Sequence, residues 1–99
     1  MITLIALLKE TQHGEENIYD TVVRAERFRE LAKSFNVEIK GLYWTMGGYD
    51  GVLILECPDA KTGSALLCRL GKYGEVRTET MQAYEAKDMQ WILERSEQV

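Results

Sequence analysis

Side chains able to orient or protonate a small molecule gather in one short stretch, Tyr43-Trp44-Thr45-Met46-Gly47-Gly48-Tyr49-Asp50-Gly51. Tyr43, Thr45 and Tyr49 offer hydroxyl groups and Asp50 a carboxylate, the sparse convergent polar groups that fix a ligand in an otherwise apolar pocket. A plainer account serves the same residues: glycines supply unusual backbone dihedrals, and an aspartate accepts hydrogen bonds from turn amides. Turn chemistry favours the plainer account. The sharper one stays open, because a turn would accept many residues smaller than the Tyr49-Asp50 pair. Two further side chains join the candidates. His13, the only histidine, could serve as an acid or base near neutral pH, although a lone loop histidine is more often solvated. Arg77 lies two residues from Glu79 on one side of a strand, either as an edge-strand ion pair or as an anion-binding or specificity element inside a cavity.

Other chemistries are poorly provided for. One histidine, two separated cysteines and scattered carboxylates do not make a metal site. No glycine loop of the phosphate-cradling or dinucleotide type is present, so no cofactor is expected. With 16 acidic against 12 basic residues and a net charge of −4, the chain has no basic cluster for tracking a phosphate backbone, and nucleic acid is not an expected partner. Arg24, Arg27, Arg29 and Lys33 come nearest, but Glu26 and Glu30 lie among them, which reads as a solvated helix face laced with weak ion pairs. The opening residues form an apolar run too short for a membrane span and carry no basic leader. A cytoplasmic protein with two reduced, semi-buried thiols is expected.

The elements that must position the candidate residues follow from periodicity. At 99 residues, 45% hydrophobic and with a single proline, the chain suits one domain folded throughout. Residues 2 to 8 are an apolar run suited to a strand buried on both faces. From Glu15 to Phe35, apolar residues at Ile18, Val22, Ala25, Phe28, Ala32 and Phe35 predict one long amphipathic helix, stopped at Asn36. Val37 to Thr45 and Gly51 to Glu56 predict a hairpin, with a bulge marked by Gly41. Asp59 caps a helix from Ala60 to Leu70 with Ala60, Ser64, Leu67 and Leu70 on its apolar face, weakened by Gly63 and ended by Gly71. A fourth strand from Glu75 to Tyr84 and a last helix near Ala86 to Arg95 complete the order.

Strand, helix, strand, strand, helix, strand is the ferredoxin-like βαββαβ arrangement of an α+β fold: an antiparallel sheet with helices on one face and a C-terminal helix. The other face should then alternate apolar with polar, and it does not. Ile5 and Leu7 oppose Leu4 and Ala6, and Val52 and Ile54 oppose Leu53 and Leu55, so both faces are apolar. A patch of that kind exceeds what soluble monomers usually expose. The terminal helix could cover part of it; the same sheet of a second copy would cover it all, giving a homodimer as the minimum unit and a dimeric α+β barrel.

The string Tyr43-Trp44-Thr45-Met46-Gly47-Gly48-Tyr49-Asp50 resembles the signature of the GYD-domain family, named for its Gly-Tyr-Asp triplet. The similarity extends to Gly14, Asn17-Ile18, Arg24-Ala25-Glu26, Pro58-Asp59, Gly71 and Gly74-Glu75-Val76-Arg77-Thr78. It implies a ferredoxin-like fold of the dimeric α+β barrel type and supplies no reaction and no catalytic residues. Gly51 departs from the pattern, standing where a bulky aliphatic commonly follows the triplet, and the helix leading to Arg24 lacks a proline often found there. The leading functional expectation is a dimeric small-molecule-binding or sensing module with a mostly apolar cavity, for an apolar or mixed-polarity ligand. The rival is a cofactor-independent oxygenase or isomerase of the same architecture; a third is an interaction module that docks through its acidic terminal helix.

Overall fold

A computed structural model describes residues 1–98. The chain forms β1 (Ile2–Glu10), α1 (Gln12–Glu16), a 3-10 turn (Ile18–Asp20), α2 (Thr21–Ser34), β2 (Glu38–Trp44), β3 (Gly51–Cys57), α3 (Ala60–Lys72), β4 (Val76–Ala83) and α4 (Ala86–Ser96). The four strands make one antiparallel sheet in the order β2-β3-β1-β4. That is the ferredoxin-like order, in which each helical crossover skips one strand.

One face of the sheet is the core face. Leu4, Ala6, Leu53, Leu55 and Cys57 meet Phe28 and Ala32 from α2 and Leu66, Leu67 and Leu70 from α3, all buried. The expected apolar face of α3 is corrected by this packing, since Gly63 and Leu66 are buried while Ala60 and Ser64 are exposed. Gly63 is a point of close approach: a Cβ there would lie 2.6 Å from Leu4 Cδ1 and 2.8 Å from Cys57 Sγ. Its helix-propensity cost brings α3 down onto the sheet. Nor does Gly71 end the helix, which continues to Lys72. Neither thiol is semi-buried as expected: Cys57 is fully buried and Cys68 is exposed.

The long helix expected from Glu15 to Phe35 is three pieces. Asn17 Nδ2 donates to the His13 carbonyl at 2.8 Å, occupying the i−4 acceptor that a continuing helix would use. At the other end the expected stop holds. Asn36 takes the left-handed conformation at φ 57°, its N–H reaches the Lys33 carbonyl, and the Val37 N–H reaches that of Ala32. Those paired bonds with a buried Val37 are a Schellman ending.

The bulge foreseen at Gly41 sets which side chains face the helices. Ile39 pairs with Leu55, but Gly41 pairs with Ile54, so one extra residue enters β2 and its alternation reverses. Beyond the bulge Leu42 and Trp44 therefore point toward α2, and Tyr43 points to the opposite face. A Cβ on Gly41 would touch both Tyr43 Cε2 and Ile54 Cδ1, which places that ring beside Ile54 on the outer face.

Ile5, Leu7, Val52 and Ile54 of the outer face are only half-buried, with Tyr43 and Met81 exposed beside them. The terminal helix leaves its own apolar residues open: Met89, Trp91 and Leu93 are exposed and no residue of α4 is buried. The chain measures 53 Å along its longest axis against 19 Å along its shortest.

Candidate functional site

The first turns of α2 and the β2 side of the sheet bound a half-open cleft of about 500 Å³, within the range usual for small-molecule sites. Ile18, Val22 and Ala25 form one wall, Leu42, Trp44 and Met46 another, and Leu8, Gly51, Leu53 and Phe28 the floor. Trp44 Nε1 donates to Thr21 Oγ1 at 2.9 Å, tying strand to helix across the cleft wall. Gly51 belongs to the floor by necessity: a Cβ there would sit 3.0 Å from the Tyr43 carbonyl oxygen and 3.3 Å from Leu8 Cδ1. A second hollow of about 610 Å³ lies between Met1, Glu26, Arg29, Glu30, Lys33 and Glu38, but its rim is charged and it offers little to an apolar molecule.

The polar end of the cleft is an ion-pair cluster. Arg24 Nη2 lies 2.9 Å from Glu10 Oε1 and Arg24 Nε 3.8 Å from Glu75 Oε2, with side chains only 10%, 8% and 13% exposed. Arg27 also pairs with Glu75 while stacking 3.9 Å above the Tyr73 ring. The expected solvated face is thus corrected for Arg24 and Arg27, whose partners come from distant elements. It stands for Arg29 and Lys33, which pair with Glu26 and Glu30 three residues away. Arg24 Nη2 also reaches the Gly14 and Asn17 carbonyls at 3.4 and 3.5 Å, so one guanidinium ties α1 and its following turn to the end of β1.

Asp50 joins this cluster to the hairpin. Its N–H donates to the Leu8 carbonyl at 2.8 Å and its Oδ2 accepts the Glu10 N–H at 2.8 Å, extending the β1–β3 pairing past Gly51. Thr45 closes the connection, its N–H bonded to the Asp50 carbonyl and its hydroxyl to the Tyr49 carbonyl. Of the glycines in the stretch, only Gly47 needs a left-handed conformation, at φ 138°.

The candidate residues divide. Tyr43, Thr45 and Asp50 border the cleft, Tyr43 with its ring turned to the outer face. Tyr49, Arg77 and His13 do not. The Tyr49 hydroxyl donates to the Glu79 carboxylate on the outer face, and that hydrogen bond, with the nearby charge, holds its phenol above the usual tyrosine range. The bond is present at neutral pH and is lost as pH rises through the raised value. Arg77 is exposed on the edge strand opposite Lys9, and His13 is exposed on α1. Among the described residues no three His, Cys, Asp or Glu side chains gather to hold a metal ion, and no helix is long and apolar enough to cross a membrane. Sequence reasoning missed Arg24, Glu10 and Glu75 as a polar cluster; the apolar stripe of Ile18, Val22 and Ala25 was legible, but not that it stands off the sheet.

An antiparallel sheet in this order, with its helices on one face and a cleft beneath one of them, defines a ferredoxin-like α+β domain. The chain belongs to the GYD domain family, whose model matches residues 4–93. A relative from Thermus thermophilus, named "glutamine synthetase and cystathionine beta-lyase binding protein", is 31% identical over 90 residues, spanning 90% of this chain and 95% of its own. Among solved structures, a feast or famine regulatory protein from M. tuberculosis complexed with L-methionine superposes with a TM-score of 0.65 at 17% identity, covering 87% of this chain and 52% of that one. An AsnC family transcriptional regulator from Agrobacterium tumefaciens does so with a TM-score of 0.57 at 22% identity, covering 85% and 50%. The chain spans about half the length of these two regulators, and the likeness is one of fold.

Proposed function

We propose that the protein is a dimeric small-molecule-binding or sensing module, with the ligand held between α2 and the sheet. The observation that carries this reading is the apolar cleft walled by Ala25, Val22 and Trp44. Support comes from the Thermus relative, named as a binding protein for two enzymes, and from a structural neighbour crystallised with an amino acid. A domain that binds a small molecule and passes its occupancy to a protein partner fits both. The enzymatic alternative draws less support, because His13 lies outside the cleft and Glu10 and Glu75 at its polar end are paired with arginines.

The neutral dye N-phenylnaphthylamine is expected to brighten on entering the cleft, and Ala25→Phe, which fills one wall, to weaken its binding at least about tenfold. Val22→Phe at the exposed rim serves should the first variant not fold. Undiminished dye binding in the folded variants, or no binding to the native protein, rejects the reading.

The apolar outer face calls for a second copy, whose sheet would bury Ile5, Leu7, Val52 and Ile54. Sedimentation of the native protein at micromolar concentration is expected at twice the chain mass. Ile54→Glu, central on that face, should yield a monomer with unchanged circular dichroism. A native monomer removes the dimer from this proposal.

A further inference from the structure

We infer that the cleft takes an amphipathic amine, its apolar body lying between α2 and the sheet and its ammonium bound to Asp50. The inference rests on the cleft being the binding site and specifies the charge of what it binds.

The polar groups that border the cleft decide that charge. Three carboxylates border the cleft, those of Glu10, Asp50 and Glu75, against two guanidiniums, those of Arg24 and Arg27, which leaves one negative charge in excess. Both arginines already face carboxylates. Arg24 directs both terminal nitrogens at Glu10, its Nε is shut away beside Glu75, and Arg27 is held between Glu75 and the Tyr73 ring. A carboxylate or phosphate would therefore meet excess negative charge, and the unpartnered Arg24 Nε is buried beside the Glu75 carboxylate. Asp50 differs from its acidic neighbours. Only its Oδ2 is used, by the Glu10 N–H, and among the described residues Oδ1 accepts no hydrogen bond. Glu10 and Glu75 are paired with arginines, so Asp50 carries the unmatched charge. An ammonium brings compact positive charge and donors for that oxygen, while Val22, Ala25, Leu42 and Trp44 receive an alkyl or aryl body. A neutral alcohol could donate to the same oxygen but would leave the charge unbalanced.

Displacement of N-phenylnaphthylamine by octylammonium, octanol and octanoate at neutral pH and low salt tests this. The chains are matched in length, so differences report the head group. Octylammonium is expected to displace the dye at about one-tenth the concentration of octanol, with octanoate weakest. In Asp50→Asn, whose amide oxygen can still accept the Glu10 N–H, the melting temperature and octanol affinity should persist while the ammonium preference disappears. The preference should also shrink in about 1 M salt, where charges are screened beyond about 3 Å; this decides the matter if the variant does not fold. Equal displacement by the three head groups, or a preference that survives both Asp50→Asn and salt, overturns the inference while leaving the cleft as a binding site. Absence of any dye binding removes both.

Discussion

Arg24→Met is expected to destabilise the protein by about 3–5 kcal/mol, the cost of breaking a buried ion pair from one side. Methionine keeps much of the apolar stem but strands the Glu10 carboxylate, 8% exposed, and leaves Glu75, 13% exposed, to Arg27 alone. The loss is large because Glu10 sits where water cannot replace the guanidinium. Arg24 also bonds the Gly14 and Asn17 carbonyls, so its removal should loosen α1 and the turn after it first. In denaturant titration the midpoint should fall, and the thermal midpoint should drop by about 20 °C. Adding Glu10→Gln to Arg24→Met should recover part of the loss, since a neutral amide is far cheaper to bury unpaired than a charge. In the native background the same Glu10→Gln change should destabilise, because Arg24 then loses its bidentate partner. A loss below about 1 kcal/mol for Arg24→Met would instead give the cluster the worth of surface pairs and undo this account.

The same cluster marks where sequence reading reaches its end. Strand alternation, the helix stop at Asn36 and the bulge at Gly41 are local, governed by residues within a turn or two, and each was legible. The bulge even determines the site, since one extra residue in β2 sends Trp44 under α2 and Tyr43 to the outer face. Arg24 was not legible, because Glu26 and Glu30 are the acids interleaved with its basic neighbours in the sequence, whereas its partners lie 14 residues before it and 51 after. Only the closed fold brings Glu10 and Glu75 to it. The break at Asn17 was hidden for another reason: apolar spacing continues through Ile18 and Val22, and a single side chain capturing the His13 carbonyl overrides it. Within the Gly48-Tyr49-Asp50 triplet the outcome is divided. Asp50 faces the cleft cluster and Tyr49 the outer face, so the triplet links two surfaces of the sheet.

Gly14→Ala tests whether that long-range arrangement or local propensity governs α1. Gly14 is buried within a five-residue helix, where intrinsic propensity alone predicts that alanine stabilises by about 1 kcal/mol. The packing predicts the opposite sign. A Cβ on Gly14 would fall 2.1 Å from the Glu75 carbonyl oxygen and 2.6 Å from Glu10 Oε2. The first is a backbone atom, held by the Thr11 N–H at 3.0 Å, with the Thr11 hydroxyl bonded to the adjacent Gly74 carbonyl at 2.6 Å. It cannot swing aside as a side chain would. Alanine must therefore push the Gly74-Glu75 segment outward, and Glu75 takes its carboxylate away from both Arg24 and Arg27. The expected result is a loss of about 3 kcal/mol, the upper end for overpacking, because strain and ion-pair disruption act together. It should be strongly non-additive with Arg24→Met, since once the guanidinium is gone the displaced Glu75 has less left to lose. Equilibrium unfolding of the two single variants and the double variant measures that coupling. Stabilisation by Gly14→Ala, or simple additivity with Arg24→Met, would mean that α1 is held by its own residues and not by the cluster beneath it.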